Sequence, residues 1–263
     1  MRRASISAGA LVCAACALAP AVARAQDRTT KLGWQLFGGG GARLGAASRS
    51  VNLELERGGW SALPVAAGEG HVGFGLTVWD FTVDLHFQGG EYALAGPGGR
   101  EDALSVYGSA IGVELGYRAH VGRFVTLNPF VGIGSTDTSM CFSGVPSDAS
   151  DASRSAFQQV LLNPARGTCL DASDVALDLG LTALASVPFP FGPAGASERL
   201  VGWLGVGPRF AFTLPLTFTR TWEAIGYGDT PIALPPFEGP VAPLGGAYVG
   251  VEVVFRGGIE NIR

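Results

Sequence analysis

The last strand-like run of the chain, Gly246 to Arg256, constrains the fold more than any other segment. Its apolar residues occupy every second position: Ala247, Val249, Val251, Val253 and Phe255. Successive side chains of a strand point to opposite faces, so one face of this run is apolar and the other is mostly small, polar or charged. Such a strand is half buried in a soluble protein, or it belongs to a membrane barrel whose apolar side chains face lipid. The cellular compartment decides between the two.

The amino terminus indicates export. Arg2 and Arg3 precede an apolar, alanine-rich stretch from Ala4 to Val22, and Ala23 to Ala25 form a small-x-small cleavage site. We therefore expect residues 1–25 to be a cleaved signal peptide and residues 26–263 to form a single β-barrel domain.

Composition narrows the fold class further. The 40 glycines and 16 prolines disfavour helices. No later apolar run approaches the roughly 20 residues of a membrane helix, so a membrane form must be a closed barrel. Without the three arginines of the signal peptide, 15 basic and 22 acidic side chains remain, a net charge of −7. This balance argues against nucleic acid as a partner, because nucleic-acid binding requires basic surface.

Two cysteines, Cys141 and Cys169, remain after cleavage. In an oxidising compartment such a pair is most simply a disulfide, here at the ends of one long loop. A metal site is the weaker alternative, because the three histidines have no ligand spacing relative to the cysteines. A lipoprotein site at Cys16 is also weaker, since Cys13 stands where a larger aliphatic residue is usual.

Alternating patterns recur along the mature chain and predict an all-β fold, an eight-stranded antiparallel up-and-down transmembrane β-barrel with long external loops. The predicted strands are Lys31 to Ala42, Ser50 to Arg57, His71 to Phe87, Ala103 to Arg118, Arg123 to Ser135, Asp174 to Val187, Leu200 to Leu214 and Gly246 to Arg256. The third is the longest, and its alternation changes phase near Trp79-Asp80, where we expect a β-bulge.

The links between these strands alternate in length over the second half of the chain. Residues 119–122 make a short link, whereas residues 136–172 and 217–245 make long ones that we expect outside the cell. A short helix is expected within residues 152–162. The aromatic and proline-rich loop 217–245 suits an extracellular ligand or the membrane headgroup level. The second strand fits this alternation least well.

Charged side chains occupy the alternate positions of the predicted strands, on the face opposite the apolar residues. Besides Glu54, Glu56 and Asp84, the predicted inward-facing charges are Glu114, Arg118, Asp178, Arg209, Glu252 and Arg256. The interior of an eight-stranded barrel is only wide enough for side chains, so we expect these groups to pair across the lumen. A path for protons or small solutes is the alternative interpretation.

Catalytic signals are sparse. His86 lies two residues from Asp84, and serines such as Ser105 are available, but this combination is weak evidence for a hydrolase. More simply, His86 is an aqueous residue at the barrel rim. We predict no catalytic residue, cofactor or metal.

The strand Leu127 to Gly134, the alternating closing strand and the signal peptide together resemble the small bacterial outer-membrane β-barrel proteins, the OmpA/OmpW-like group. The resemblance spans the mature chain. It implies a monomeric barrel in the outer membrane of a Gram-negative bacterium, inserted among lipids by the outer-membrane assembly machinery and often without catalytic activity.

Three functions remain open. The leading hypothesis is a porin-like outer-membrane barrel with a structural, surface-interaction or minor-pore role and a lumen plugged by paired charges. The second is a soluble periplasmic or secreted β-barrel that binds a small apolar ligand. The third is a lipid-modifying hydrolase of the outer leaflet. The first two differ in where the alternating apolar side chains of the strands point. A soluble barrel turns them inward, and a membrane barrel turns them outward.

Overall fold

The computed structural model describes residues 28–45, 49–95, 103–122, 124–143, 155–162, 168–191, 198–226, 235–243 and 245–262. The expected signal peptide, residues 1–25, lies outside the described residues. In chain order the elements are β1 (Arg28–Leu44), α1 (Arg49–Arg57), β2 (Ala66–Val78), β3 (Phe81–Ala95), β4 (Ala103–Tyr117), β5 (Ala119–Val121), β6 (Val125–Ser143), α2 (Ala156–Leu162), β7 (Thr168–Phe191), β8 (Glu198–Pro215), β9 (Thr221–Gly226), β10 (Phe237–Glu238) and β11 (Gly246–Ile262).

Eight long strands, β1 to β4, β6 to β8 and β11, form a closed antiparallel barrel. Each pairs with its neighbours along the chain, and the closing strand β11 lies between β8 and β1. Val253 of β11, for example, pairs with Val206 on one side and Gly38 on the other. The predicted eight-stranded up-and-down architecture is therefore confirmed.

The predicted second strand, Ser50 to Arg57, is wrong: this segment is helix α1. Val51 and Leu55 are four residues apart, which satisfies a helix face as well as strand alternation. Both are fully buried, whereas Leu53 between them is 43% exposed. Because Glu54 and Glu56 lie on this helix, they do not face the lumen as predicted, and Glu54 instead pairs with Arg57 at 2.7 Å.

The predicted long third strand, with its bulge, is also wrong. It is a hairpin of β2 and β3 joined at Trp79 and Asp80, and Val78 pairs with Phe81. Both turn residues have positive φ, 53° and 66°, as a two-residue hairpin turn of type I′ requires. The chain reverses direction here, so the change of phase marks a turn. The predicted third strand is therefore two strands, β2 and β3. The total remains eight because the predicted second strand is the helix α1.

The links between strands divide between the two ends of the barrel. The end that carries Arg28 paired with Ile262, here called the turn end, also carries the links 79–80, 118–124 and 192–197. The opposite end, here called the loop end, carries the links 45–65, 96–102, 144–167 and 216–245. The turn-end links have two, seven and six residues, and three of the four loop-end links have between 21 and 30, so the long links lie at the loop end only. The link 96–102, with seven residues, is the exception to the alternation.

The apolar parity faces outward on all eight barrel strands, and we call this surface the apolar band. The six residues that distinguish a membrane barrel from a soluble one are 41–56% exposed: Ile111, Val113, Val131, Ile133, Val251 and Val253. The opposite parity, which carries the charges, is buried inside. This arrangement contradicts a soluble barrel with an apolar interior.

Candidate functional site

The barrel interior is polar because alternate positions on the strands carry charged or hydrogen-bonding side chains. Glycines on the same face provide the space for them. A side chain at Gly112 would come within 2.8 Å of His86, and one at Gly132 within 2.9 Å of Glu114. Small residues opposite large ones let a narrow barrel hold a dense layer of charge.

Arg209 of β8 lies at the middle of this interior. Its guanidinium donates to Glu114 of β4 and to Glu252 of β11, the second at 3.0 Å. It also lies over the ring of Phe130 on β6, 4.3 Å from the ring centroid. Four strands thus meet at one charged group.

Two histidines complete this layer. His71 of β2 lies 3.0 Å from the Tyr248 hydroxyl through Nδ1 and 3.2 Å from Glu252 Oε2 through Nε2. His86 of β3 lies between two carboxylates, with Nδ1 3.3 Å from Glu114 and Nε2 4.0 Å from Asp178. We call the titratable residues of this layer the central cluster: His71, His86, Glu114, Asp178, Arg209 and Glu252.

A second layer lies nearer the turn end. The Gln35 amide donates to Asp84 at 2.5 Å and accepts from Arg118 at 2.5 Å, so it connects an acid to a base. At the turn itself, His120 Nε2 is 3.4 Å from Asp80, whose carboxylate also accepts from the Thr30 backbone N–H at 2.8 Å.

Arg256 belongs to this second layer but uses different partners. Its guanidinium donates to the hydroxyls of Thr126 and Ser186, both at 3.1 Å, and lies 5.4 Å from the Trp203 ring. The Trp203 indole in turn donates to Glu260 at 2.6 Å.

Seven of the nine predicted inward-facing charges, all except Glu54 and Glu56, are buried and face the interior, but they do not form one network. Glu114, Arg209 and Glu252 share direct contacts, and Asp178 joins them beside His86. Arg118 and Arg256 lie in the second layer. Neither His71 nor His120 was predicted in the lumen, although His71 shares the parity of Gly73 and Gly75 on β2.

His86 was expected at an aqueous rim, and this is wrong: it is 3% exposed and lies in the central cluster. Ser105 stands on the outward parity of β4. The suggested hydrolase residues are therefore not brought together. Among the described residues, no group of three or more His, Cys, Asp or Glu side chains could hold a metal ion.

An apolar core lies over the lumen at the loop end, and we call it the plug. Its buried members come from both helices, from inward positions of β4, β6, β7 and β9, and from two links: Val51, Leu55, Trp60, Leu63, Leu104, Val106, Met140, Phe142, Phe157, Val160, Leu161, Leu170, Ala172, Trp222, Ala224 and Ala242. The plug resembles the core of a soluble domain and covers the polar interior.

Trp60 and Trp222 anchor the plug. The Trp60 indole donates to the Leu161 carbonyl at 3.0 Å, and the Trp222 indole donates to Pro240 at 2.8 Å. Trp222 packs edge to face on Phe157, with ring centroids 5.1 Å apart. Trp222, predicted within an aromatic surface loop, is instead fully buried. The predicted helix within residues 152–162 is present as α2 and contributes Phe157 to the plug.

The predicted disulfide, Cys141 to Cys169, is present. Its two residues are directly paired across β6 and β7, one pair before the strands end at Phe142 and Thr168. The bond therefore fixes both strands at the base of the link that carries α2.

Asp174 fastens the start of the link 216–245. Its carboxylate accepts from the Thr217 hydroxyl at 2.6 Å, the Thr217 backbone N–H at 3.2 Å and the Thr219 backbone N–H at 3.0 Å. One carboxylate thus satisfies three donors of the link, and it does so as an ionised acceptor.

No protein-family model matches this sequence, and no curated protein matches it either. Solved structures of similar shape include a major outer membrane protein from Thermus thermophilus, at 13% identity and a TM-score of 0.37, covering 86% of this chain and 99% of the other. Ail, the attachment invasion locus protein of Yersinia pestis, has 9% identity and a TM-score of 0.39, with coverages of 88% and 99%. The outer membrane protease OmpT from Escherichia coli has 9% identity and a TM-score of 0.26, with coverages of 90% and 96%. At such identities and TM-scores, no activity or partner transfers from these proteins to this chain.

Proposed function

We propose that this protein is an outer-membrane β-barrel of a Gram-negative bacterium with a structural or surface-interaction role and a closed lumen. The apolar band supports the membrane location, because large apolar side chains on the outside of all eight strands need a lipid environment. Outer-membrane lipids and the outer-membrane assembly machinery are its expected partners, and a monomer is its expected state.

The observation that carries the closed lumen is how little space the interior leaves. The cavity between the central cluster and the second layer has a volume of about 10 Å³ and is bordered by Gln35, Asp84, Arg118, Arg209 and Arg256 among others. That is room for about one water molecule. Above it, the plug covers the loop end, so an ion would have to displace both charged side chains and an apolar core.

We propose that the protein is not an enzyme. The support is the placement of the suggested hydrolase residues: His86 lies inside the barrel between Glu114 and Asp178, whereas Ser105 lies on the outward face of β4. A surface role would rest on the links at the loop end, within residues 136–172 and 217–245. These segments stand at the outside of an outer-membrane barrel, where an extracellular ligand would meet them first. Nucleic acid is not an expected partner, given the net charge.

Conductance in planar lipid bilayers tests the closed lumen. Purified, refolded protein should insert without producing steady channels across a wide voltage range. As a positive control, the variant E114A/R209A/F157A removes two large charged side chains from the centre and one aromatic side chain from the plug, and it should conduct more often. Stable channels of large conductance in the wild-type protein would refute the closed lumen and favour a minor-pore role.

A further inference from the structure

The central cluster is not balanced in charge when its histidines are neutral. Glu114, Asp178 and Glu252 supply three carboxylates, whereas Arg209 supplies one guanidinium. All four side chains are buried, with residue exposures of 2–7%. Two negative charges without a counter-charge would be costly in such a site, because burial removes the water that stabilises an ion.

The neighbouring layers do not supply the missing positive charge. On the loop side, Arg43 of β1 pairs with Glu69 of β2 at 2.7 Å. On the turn side, Gln35 of β1 links Asp84 of β3 to Arg118 of β4, an equal number of acids and bases.

Arg256 and Glu260 of β11 also lie on the turn side, as does Asp80 beside His120, so the three carboxylates there outnumber the two arginines. The remaining side chains that face the cluster carry no formal charge. The uncharged ones are Phe37 of β1, Phe130 of β6, Thr182 of β7, Thr213 of β8 and Tyr248 of β11.

The chain does supply two imidazoles at the right places. His71 lies 3.2 Å from Glu252, and His86 lies 3.3 Å from Glu114 and 4.0 Å from Asp178. Each imidazole and its adjacent carboxylate can share one proton, whichever of the two atoms carries it. Two such protons bring the cluster of three acids and one arginine to neutrality.

We propose that the folded protein retains two protons in the central cluster at a pH where the unfolded chain has released them, so that the barrel interior is a pH-sensitive element. In the unfolded chain, histidine titrates near pH 6.5 and carboxylates near pH 4, so at pH 8 neither holds a proton. Folding at pH 8 must then take protons up. Stability falls as the pH rises above 6.5, because the native state is the one that binds more protons.

Proton uptake on folding measures this directly. Urea-unfolded protein is diluted into weakly buffered detergent micelles at pH 8, and a pH indicator dye reports the protons taken up per chain. We expect about two protons for the central cluster of the wild-type protein. Asp178→Asn removes one carboxylate while keeping both histidines and Arg209, so it should take up about one proton fewer.

The matched control is Glu223→Gln, which makes the same kind of change at an exposed residue of β9 and should not alter uptake. Equal uptake by wild type and a folded D178N variant would overturn the proposal, as would wild-type uptake of less than one proton.

A second measurement needs only the wild-type protein and covers the case in which D178N does not fold. Two retained protons change the folding equilibrium constant by about a hundredfold per pH unit, since each contributes a factor of ten. Urea titrations between pH 7.5 and 8.5 should show this loss of stability, and a flat profile would contradict the proposal. Neither measurement depends on conductance, so the closed lumen and the retained protons can fail separately.

Discussion

Arg209 of β8 connects three other strands of the barrel interior, since it bonds Glu114 and Glu252 and covers Phe130. Arg209→Met keeps most of the volume but leaves two buried carboxylates without their base. Removing one partner of a buried ion pair typically costs about 3–5 kcal/mol. We expect a loss of that size in the free energy of unfolding, measured by urea titration in detergent or lipid.

Arg57→Met is the matched control. It makes the same substitution in the ion pair with Glu54 on the surface of α1, where the arginine side chain is 64% exposed. An exposed pair contributes roughly 0–1 kcal/mol. Equal effects of the two substitutions would show that the interior arginine has no special role.

Asp174 gives a pH-dependent prediction of the opposite sign to the one for the central cluster. The ionised carboxylate accepts from all three donors of Thr217 and Thr219, so the link is fully held where an aspartate is ordinarily ionised, above about pH 4. Protonation at lower pH weakens these hydrogen bonds. Below pH 4, the protection factors of the backbone amides of Thr217 and Thr219 should therefore fall.

Asp174→Ala should lower the protection of the Thr217 and Thr219 backbone amides already at neutral pH. It should cost roughly 1–3 kcal/mol, because it removes hydrogen bonds to a charged acceptor. Unchanged protection of the Thr217 and Thr219 amides in this variant would show that Asp174 does not hold the link.

At the scale of elements, the plug is the part of the fold that departs most from a plain barrel. Phe157 is fully buried against Trp222, so Phe157→Ala should cost about 3–5 kcal/mol locally and release β9. Hydrogen exchange should rise in β9 but not at the pairing of β11 with β1. Phe218→Ala, at a 54% exposed phenylalanine, should change neither. Faster exchange throughout the barrel in F157A would mean that the plug is not a separate unit.

The elements also show what the sequence can and cannot predict. Alternation identified five barrel strands and the closing strand, because the period of two persists over many residues in each. It failed at Ser50 to Arg57. The spacing of Val51 and Leu55 fits both the period of a strand and that of a helix, and only their packing in the plug favours the helix. At Trp79-Asp80, the change of phase was visible but its cause was not, since Asp80 is the one turn-favouring residue of the pair and no glycine, asparagine or proline accompanies it.

The interior charges were predictable as a set and not as pairs. Parity places Glu114, Asp178, Arg209 and Glu252 on one face of their strands, but only the register between strands determines which of them meet. Gln35 and the histidines form contacts that parity alone could not single out. The plug could not be predicted from the sequence for a similar reason, because its members come from links and strand ends far apart in the chain.

At the scale of the whole molecule, the outward band and the inward charges give a lipid-facing barrel. An arginine at the middle of the band should cost roughly 2–4 kcal/mol in a bilayer, and much less near the aqueous boundary. Leu181→Arg places the charge in the band of β7, whereas Ser173→Arg places it on the same face of the same strand towards the loop end. We expect folding into vesicles to be weakened by the first substitution only. Equal effects would contradict a bilayer around Leu181.

The most direct test of the central claim is whether lipid or water contacts the outer face of the closing strand β11. Val253 and Leu53 are similarly exposed, at 47% and 43%, but the first lies in the apolar band of β11 and the second on α1 at the loop end. Single nitroxide labels can be introduced at each position, because both cysteines of residues 26–263 are held in the disulfide. In reconstituted vesicles, the label at Val253 should be accessible to oxygen and shielded from a water-soluble nickel complex, and the label at Leu53 should show the reverse. A label at Val253 that is open to the nickel complex would contradict a barrel whose apolar face contacts lipid.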